Sequence, residues 1–109
     1  MVAVEEVTRW CLQMPDVVQQ PHFHKASFRV KKKIFATLDV NNKKLVVKLS
    51  AIDQSVFCGY NSNIVYPVSG AWGKQGWTFI ELPKVRKSIC RDAIETAYHS
   101  VLESGKKKS

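Results

Sequence analysis

The chain has 109 residues, of which 45% are hydrophobic, with 17 Lys plus Arg against 9 Asp plus Glu. That length supports one hydrophobic core and is short for two domains. The composition excludes a disordered chain, and no run approaches the roughly 18 apolar residues of a membrane span.

The N-terminal stretch MVAVEEVTRW places acids where a signal peptide carries its positive end. Cys11, Cys58 and Cys90 are odd in number and form no CxxC pair. This argues against a disulfide scaffold or a cysteine-based zinc site and points to a reducing cytoplasm. The formal charge is +8. Residues 1–105 read as one domain, and 106–109 as a basic tail expected to fray. Without Lys106, Lys107 and Lys108 the body still holds 14 cations against 9 acids. Such a balance favours polyanionic or acidic partners, and it also serves solubility alone.

The first predicted element is a helix over 3–13, with Val4, Val7, Trp10, Cys11 and Met14 at helical spacing. Glu5 and Glu6 suit the positive end of its dipole, and Pro15 stops it. A connector follows, from Asp16 to Pro21. Strands are predicted over 23–30, 33–40 and 44–49. The first turns Ala26, Phe28 and Val30 to one face. The second turns Ile34, Ala36, Leu38 and Val40 one way and Phe35, Thr37 and Asp39 the other. The third turns Leu45, Val47 and Leu49 one way and Val46 and Lys48 the other. Lys31-Lys32 and Asn41-Asn42 are short enough for consecutive hairpins, and Asn tolerates left-handed geometry. Ser50 caps a helix over 51–57, with Asp53 in its first turn. Ile64-Val65-Tyr66 form a short strand, and a glycine-punctuated loop over 69–76 leads to a strand over 77–82. A helix over 84–104 ends the chain, with Gly105 as its stop. The order α-β-β-β-α-β-β-α predicts an α+β, two-layer domain: a largely antiparallel five-stranded sheet with helices on one face.

Four stretches then stand out together: PHFHKASFRVKKKIFATL (21–38), QSVFCGY (54–60), YPVSGAWGKQGWTFIEL (66–82) and AIETAYHSV (93–101). On these the chain resembles the MmcQ/YjbR-like family of small bacterial proteins, from about Met14 to Leu102. The resemblance implies an α+β fold like that of type III secretion chaperones, also compared with frataxin-like proteins. It further implies DNA binding through two projecting hairpin wings, and no catalytic residues. The wing candidates here are the Arg29–Lys33 connection and the Val68–Gly76 loop. Val18-Gln19-Gln20 stand where relatives often carry acids, and the lysine tail is long. Both make this chain more basic.

Lys25, Arg29, Lys31, Lys32 and Lys33 form an acid-free run that would project from a hairpin tip. Phosphate pairing is one use for it, and solvation of a turn against edge-to-edge pairing is the other. Lys84, Arg86, Lys87 and Arg91 precede any acid at the last helix, where the dipole would favour carboxylates. The Gly70–Trp77 loop is neither a P-loop nor a dinucleotide fingerprint, because Val68 and Gln75 stand where the P-loop needs Gly and Ser/Thr. Its glycines suit a tight reversal. Trp72 and Trp77 flank Lys74 and either stack on bases or close the core edge. Phe35, Val46, Trp77 and Phe79 would form an apolar patch on the open sheet face unless the middle helix or the 59–66 segment covers it.

Catalysis finds no support in the residues. His22 and His24 share a predicted strand face but lack a third ligand, and His99 falls among exposed helix positions. The cysteines lie on apolar helix faces, and the acids are scattered singly. The expectation is a cytoplasmic, non-enzymatic domain without metal or cofactor, binding nucleic acid without sequence specificity and having no membrane partner. Arg29, Lys31, Lys32, Lys33 and Lys74 would grip phosphates. Lys84, Arg86 and Lys87 would widen the patch, and Trp72 would stack. The alternative is a protein-interaction module or weak homodimer that uses the open sheet face.

Overall fold

The computed structural model describes residues 1–106. In chain order its elements are α1 (Val4–Gln13), β1 (Val18–His22), β2 (Lys25–Val30), β3 (Lys33–Asp39), β4 (Lys44–Lys48), α2 (Ala51–Tyr60), β5 (Val65–Pro67), α3 (Ala71–Lys74), β6 (Trp77–Glu81) and α4 (Lys87–Lys106). The strands form one sheet in the order β1-β2-β3-β4-β6-β5, every neighbouring pair antiparallel. The class is the expected α+β, but the sheet has six strands rather than five.

The added strand, β1, occupies the expected connector. It lies at the sheet edge, pairs only with β2, and is almost entirely exposed on both faces. With no buried face it shows no apolar alternation, and Pro21 is tolerated because an edge strand has one unpaired side. The second addition, α3, is a single turn inside the expected 69–76 loop. The element order is corrected accordingly.

The core lies between the sheet and the long helices. Phe28, Val30, Leu38, Leu45, Val47, Leu49 and Ile80 from the sheet meet Val7, Cys11, Cys90, Ala93, Ile94 and Ala97 from α1 and α4, all buried. α4 lies across β2–β4, α1 packs on α4, and α2 packs on β5. Ser50 caps α2 as expected, its Oγ accepting from the Asp53 amide at 3.1 Å, and the helix runs on to Tyr60. The last helix begins later than its sequence suggests. Val85 is buried, its carbonyl accepts from the N-terminal amine at 2.8 Å, and the Val2 amide donates to the Leu82 carbonyl at 2.9 Å. These bonds hold 82–86 as a turn. At the other end α4 passes through Gly105 to Lys106; the remainder of the expected tail, 107–109, lies outside the described residues. Among the described residues no helix is long and apolar enough to cross a membrane.

One local irregularity reassigns a face. Phe28 pairs with Ala36, but Arg29 pairs with Ile34, so Phe35 is an extra residue in β3. This is a β-bulge, which breaks the alternation and bends the strand. Phe35 therefore points into the core with Ala36, fully buried and edge-on to Tyr98 at 5.6 Å between ring centres. Tyr98 is fixed in turn by a 2.7 Å hydrogen bond from its hydroxyl to the Pro15 carbonyl. Ile34 moves to the open face. The expected faces of Phe35 and Ile34 are thus exchanged.

Candidate functional site

The candidate residues stand around the ends of the sheet face turned away from the helices: Arg29 on that face, Lys31 and Lys32 in the turn beside it, Lys33 opposite the buried Val30, and Trp72 and Lys74 on α3. Cross-strand register sets the rows of that face: Asp39, Lys44 and Glu81 at one end, Thr37, Val46, Phe79 and Tyr66 in the middle, and Lys48 beside Trp77 at the other end. Opposed residues share a face, so each row lies side by side on the surface.

At the first end, charge is matched. Lys44 reaches Glu81 at 3.6 Å and lies over the Phe79 ring at 5.3 Å. The Tyr66 hydroxyl donates to the same Glu81 carboxylate, which lifts the phenol above its ordinary pKa. Hydrogen bonds from the Asn42 side chain and amide, at 2.8 and 3.1 Å, hold Asp39 below the usual carboxylate range, with help from the charge of Lys25. The left-handed residue of this β3–β4 turn is Lys43 (φ 54°) rather than either asparagine of the expected pair.

The opposite end collects cations alone. The β2–β3 turn is two residues long, Lys31 and Lys32, with Val30 pairing Lys33. Both turn residues have positive φ, 52° and 68°. This is type I′ geometry, which Asn-Gly adopts easily and which costs a residue with a Cβ about 1–2 kcal/mol. Arg29 sits just inside the turn. Its Nε donates to Ser27 Oγ at 3.3 Å, and that buried hydroxyl donates to the Gln20 carbonyl of β1 at 2.9 Å. Lys48 lies over Trp77 at 5.4 Å. Antiparallel pairing brings the start of β6 and the end of β5 to this same end, and with them the α3 loop carrying Trp72 and Lys74. Among the described residues, ion pairs join Lys44 to Glu81, Lys87 to Glu6 and Arg91 to Glu95, and none involves a cation of this end.

The α3 loop is fixed by close backbone approach. A Cβ on Gly73 would sit 1.9 Å from the Val68 carbonyl oxygen, and one on Gly76 (φ 106°) would sit 1.8 Å from that of Leu49. Gln54 of α2 reaches across with Nε2, 2.9 Å from the Gly73 carbonyl and 3.1 Å from Thr78 Oγ1. These contacts present Trp72, which is 61% exposed, on a rigid turn. Between this loop and the β1–β2 hairpin the open face sinks into a trough of about 310 Å³. Ile34, Thr37, Val46, Val68, Trp72, Trp77 and Phe79 line it, with His22 and Lys25 at the hairpin side. The middle helix leaves this region open, and α3 borders it.

The expected site residues therefore divide. Arg29, Lys31, Lys32, Lys33, Trp72 and Lys74 come together at one end of the sheet. Lys84, Arg86 and Lys87 follow β6 and lie at the other end, about 13 Å of strand away. Lys87 is already paired with Glu6 at 3.0 Å. Lys48 and Gln54 escaped the sequence reading. The alternation that put Lys48 on Val46's face was its one signal, whereas Gln54 gave none. The expected histidine pair is also corrected: β1 ends at His22, and His24 lies in the exposed turn. Among the described residues no three His, Cys, Asp or Glu side chains cluster as a metal site. Burial pushes the Cys90 thiol up to about 12 and raises Cys11 likewise, so neither is a ready nucleophile.

A family model for YjbR matches residues 12–100. The chain belongs to the YjbR family. The crystal structure of the Deinococcus radiodurans protein DR2400, with a DUF419 domain, is similar to it at a TM-score of 0.85 and 18% identity, covering 96% of this chain and 82% of that one. At that identity the likeness concerns the fold. No curated protein matches. The family match runs from the last two residues of α1 into α4, so both ends of the open face lie within the YjbR region.

Proposed function

We propose that this YjbR-family chain is a binding module, not an enzyme, and that it holds the phosphate backbone of nucleic acid at the cationic end of its open sheet face without reading sequence. Arg29, Lys31, Lys32 and Lys33 form one wing, Lys74 stands on the other, and Lys48 lies between them. The observation that carries this reading is the Lys31-Lys32 turn. Two lysines occupy left-handed geometry beside further cations, with no carboxylate of the sheet at that end. Stability alone would favour Asn-Gly there, and strain retained at a charged tip points to use of the charge. Lys84, Arg86 and Lys87 drop out of the contact set because they stand at the other end.

The test is binding of 20-nucleotide single strands and duplexes between about 50 and 200 mM salt. Engagement of about four phosphates makes affinity fall about a hundredfold over that range. A flat salt response, or no binding at low salt, refutes the reading.

The half-exposed Val46, Trp77 and Phe79 favour a second reading, in which the same face binds a protein or another copy of the chain. That association tolerates salt and fails in Phe79→Ser. Sedimentation as a monomer at high concentration removes the self-association form of it.

A further inference from the structure

The trough itself has a more specific use, and the inference rests on the phosphate reading above. We propose that it is a base-receiving subsite, so that the ligand is single-stranded nucleic acid with one base turned out of its stack and lodged between the α3 loop and the β1–β2 hairpin. At about 310 Å³ the trough lies at the small end of ligand pockets, which suits a ring system rather than a helix or a peptide segment. Its walls are apolar and aromatic: Ile34, Val46, Trp77 and Phe79 on the sheet and Trp72 on the α3 turn. Aromatic walls accept any base, since every base has a π-face, and they fit binding without sequence preference.

Charge complementarity selects this occupant over a purely apolar one. The Lys48 ammonium lies 5.4 Å from the centre of the Trp77 ring, and Lys25 stands on the opposite rim. A base seated against Trp77 thus has the Lys48 ammonium beside it for a flanking phosphate, and the wing cations of the same end continue the track. A protein partner would need most of these lysines neutralised. A duplex keeps its base faces stacked and cannot offer one to a recess of this size. Trp72 is the strongest single indication. It is 61% exposed, yet the loop beneath it is held by Gln54 and by the close approach of Gly73 to Val68. An ordered, exposed aromatic beside a cationic track is the arrangement that single-strand binders use for stacking.

The experiment measures the affinity of three labelled probes at low salt: a twelve-residue oligothymidylate, a twelve-nucleotide abasic strand and a twelve-base-pair duplex. The proposal predicts that oligothymidylate binds at least about tenfold more tightly than either of the others. Trp72→Ala weakens it roughly 5- to 150-fold, the range commanded by base–aromatic stacking, and leaves the abasic strand unchanged. Val46→Gln, an uncharged polar change in the trough floor, has the same selective effect. Equal binding of oligothymidylate and abasic strand overturns the subsite while leaving phosphate binding intact. So does a loss in both variants that is the same for both strands, or no loss in either. Failure of all three probes to bind removes the phosphate reading as well. A dimer that oligothymidylate does not dissociate assigns the trough to a second copy and overturns the proposal.

Discussion

The two ends of the open sheet face carry the same residue types in different company. At the Lys44 end, lysines alternate across strands with Asp39 and Glu81, and a tyrosine hydroxyl completes the set. Cross-strand pairs of opposite charge steady a sheet by a few tenths of a kcal/mol each. At the Lys48 end the lysines face aromatic rings and solvent, and the tightest turn carries two of them in strained geometry. The lesson is that a count of cations says little about function. What distinguishes the proposed binding end from the paired end is the absence of sheet carboxylates in register with its cations.

Phe35→Ala removes the side chain that anchors the bulge against Tyr98 and lowers stability by about 3–5 kcal/mol, read by chemical denaturation. Were Phe35 on the open face, the loss would be under about 1 kcal/mol. The double change Lys31→Glu, Lys32→Glu weakens nucleic-acid binding about 30- to 100-fold and reduces the salt slope by about two. The same reversal at Lys43 and Lys84, at the other end, changes affinity less than about threefold. Replacing Lys31-Lys32 by Asn-Gly relieves the positive-φ strain and stabilises the fold by about 1–2 kcal/mol. The Tm rises by about 4–8 °C per kcal/mol while affinity falls, a combination that a purely structural turn would not show. Glu81→Gln loses the Lys44 pair and costs under about 1 kcal/mol, because the pair is partly exposed. It raises affinity by no more than a few fold.

Much of this was legible in the sequence because buried faces leave a periodic trace. Leu45 and Val47 on β4 with Leu49 just beyond it, the α1 stripe and the Ser50 cap all appear where spacing places them. What escaped is what leaves no such trace. β1 buries almost nothing, so its Val-Gln-Gln-Pro reads as a connector. The bulge at Phe35 is a matter of hydrogen-bond register, and Phe and Ile are equally apolar on either face. The candidate site divided for a related reason. The sequence shows that the Lys31-Lys32 turn and the 68–76 loop are basic or aromatic, but only strand order brings them to one end. The same strand order carries Lys84, Arg86 and Lys87 to the other.

An amide shift map of the ¹⁵N-labelled protein titrated with a short oligonucleotide locates the contact surface. The expected changes are confined to residues 29–34, Val46, Lys48, 68–77 and Phe79, with little movement at Asp39, Lys44 or Glu81. Shifts centred on 84–91, or spread evenly over both ends of the sheet, would contradict the proposed site.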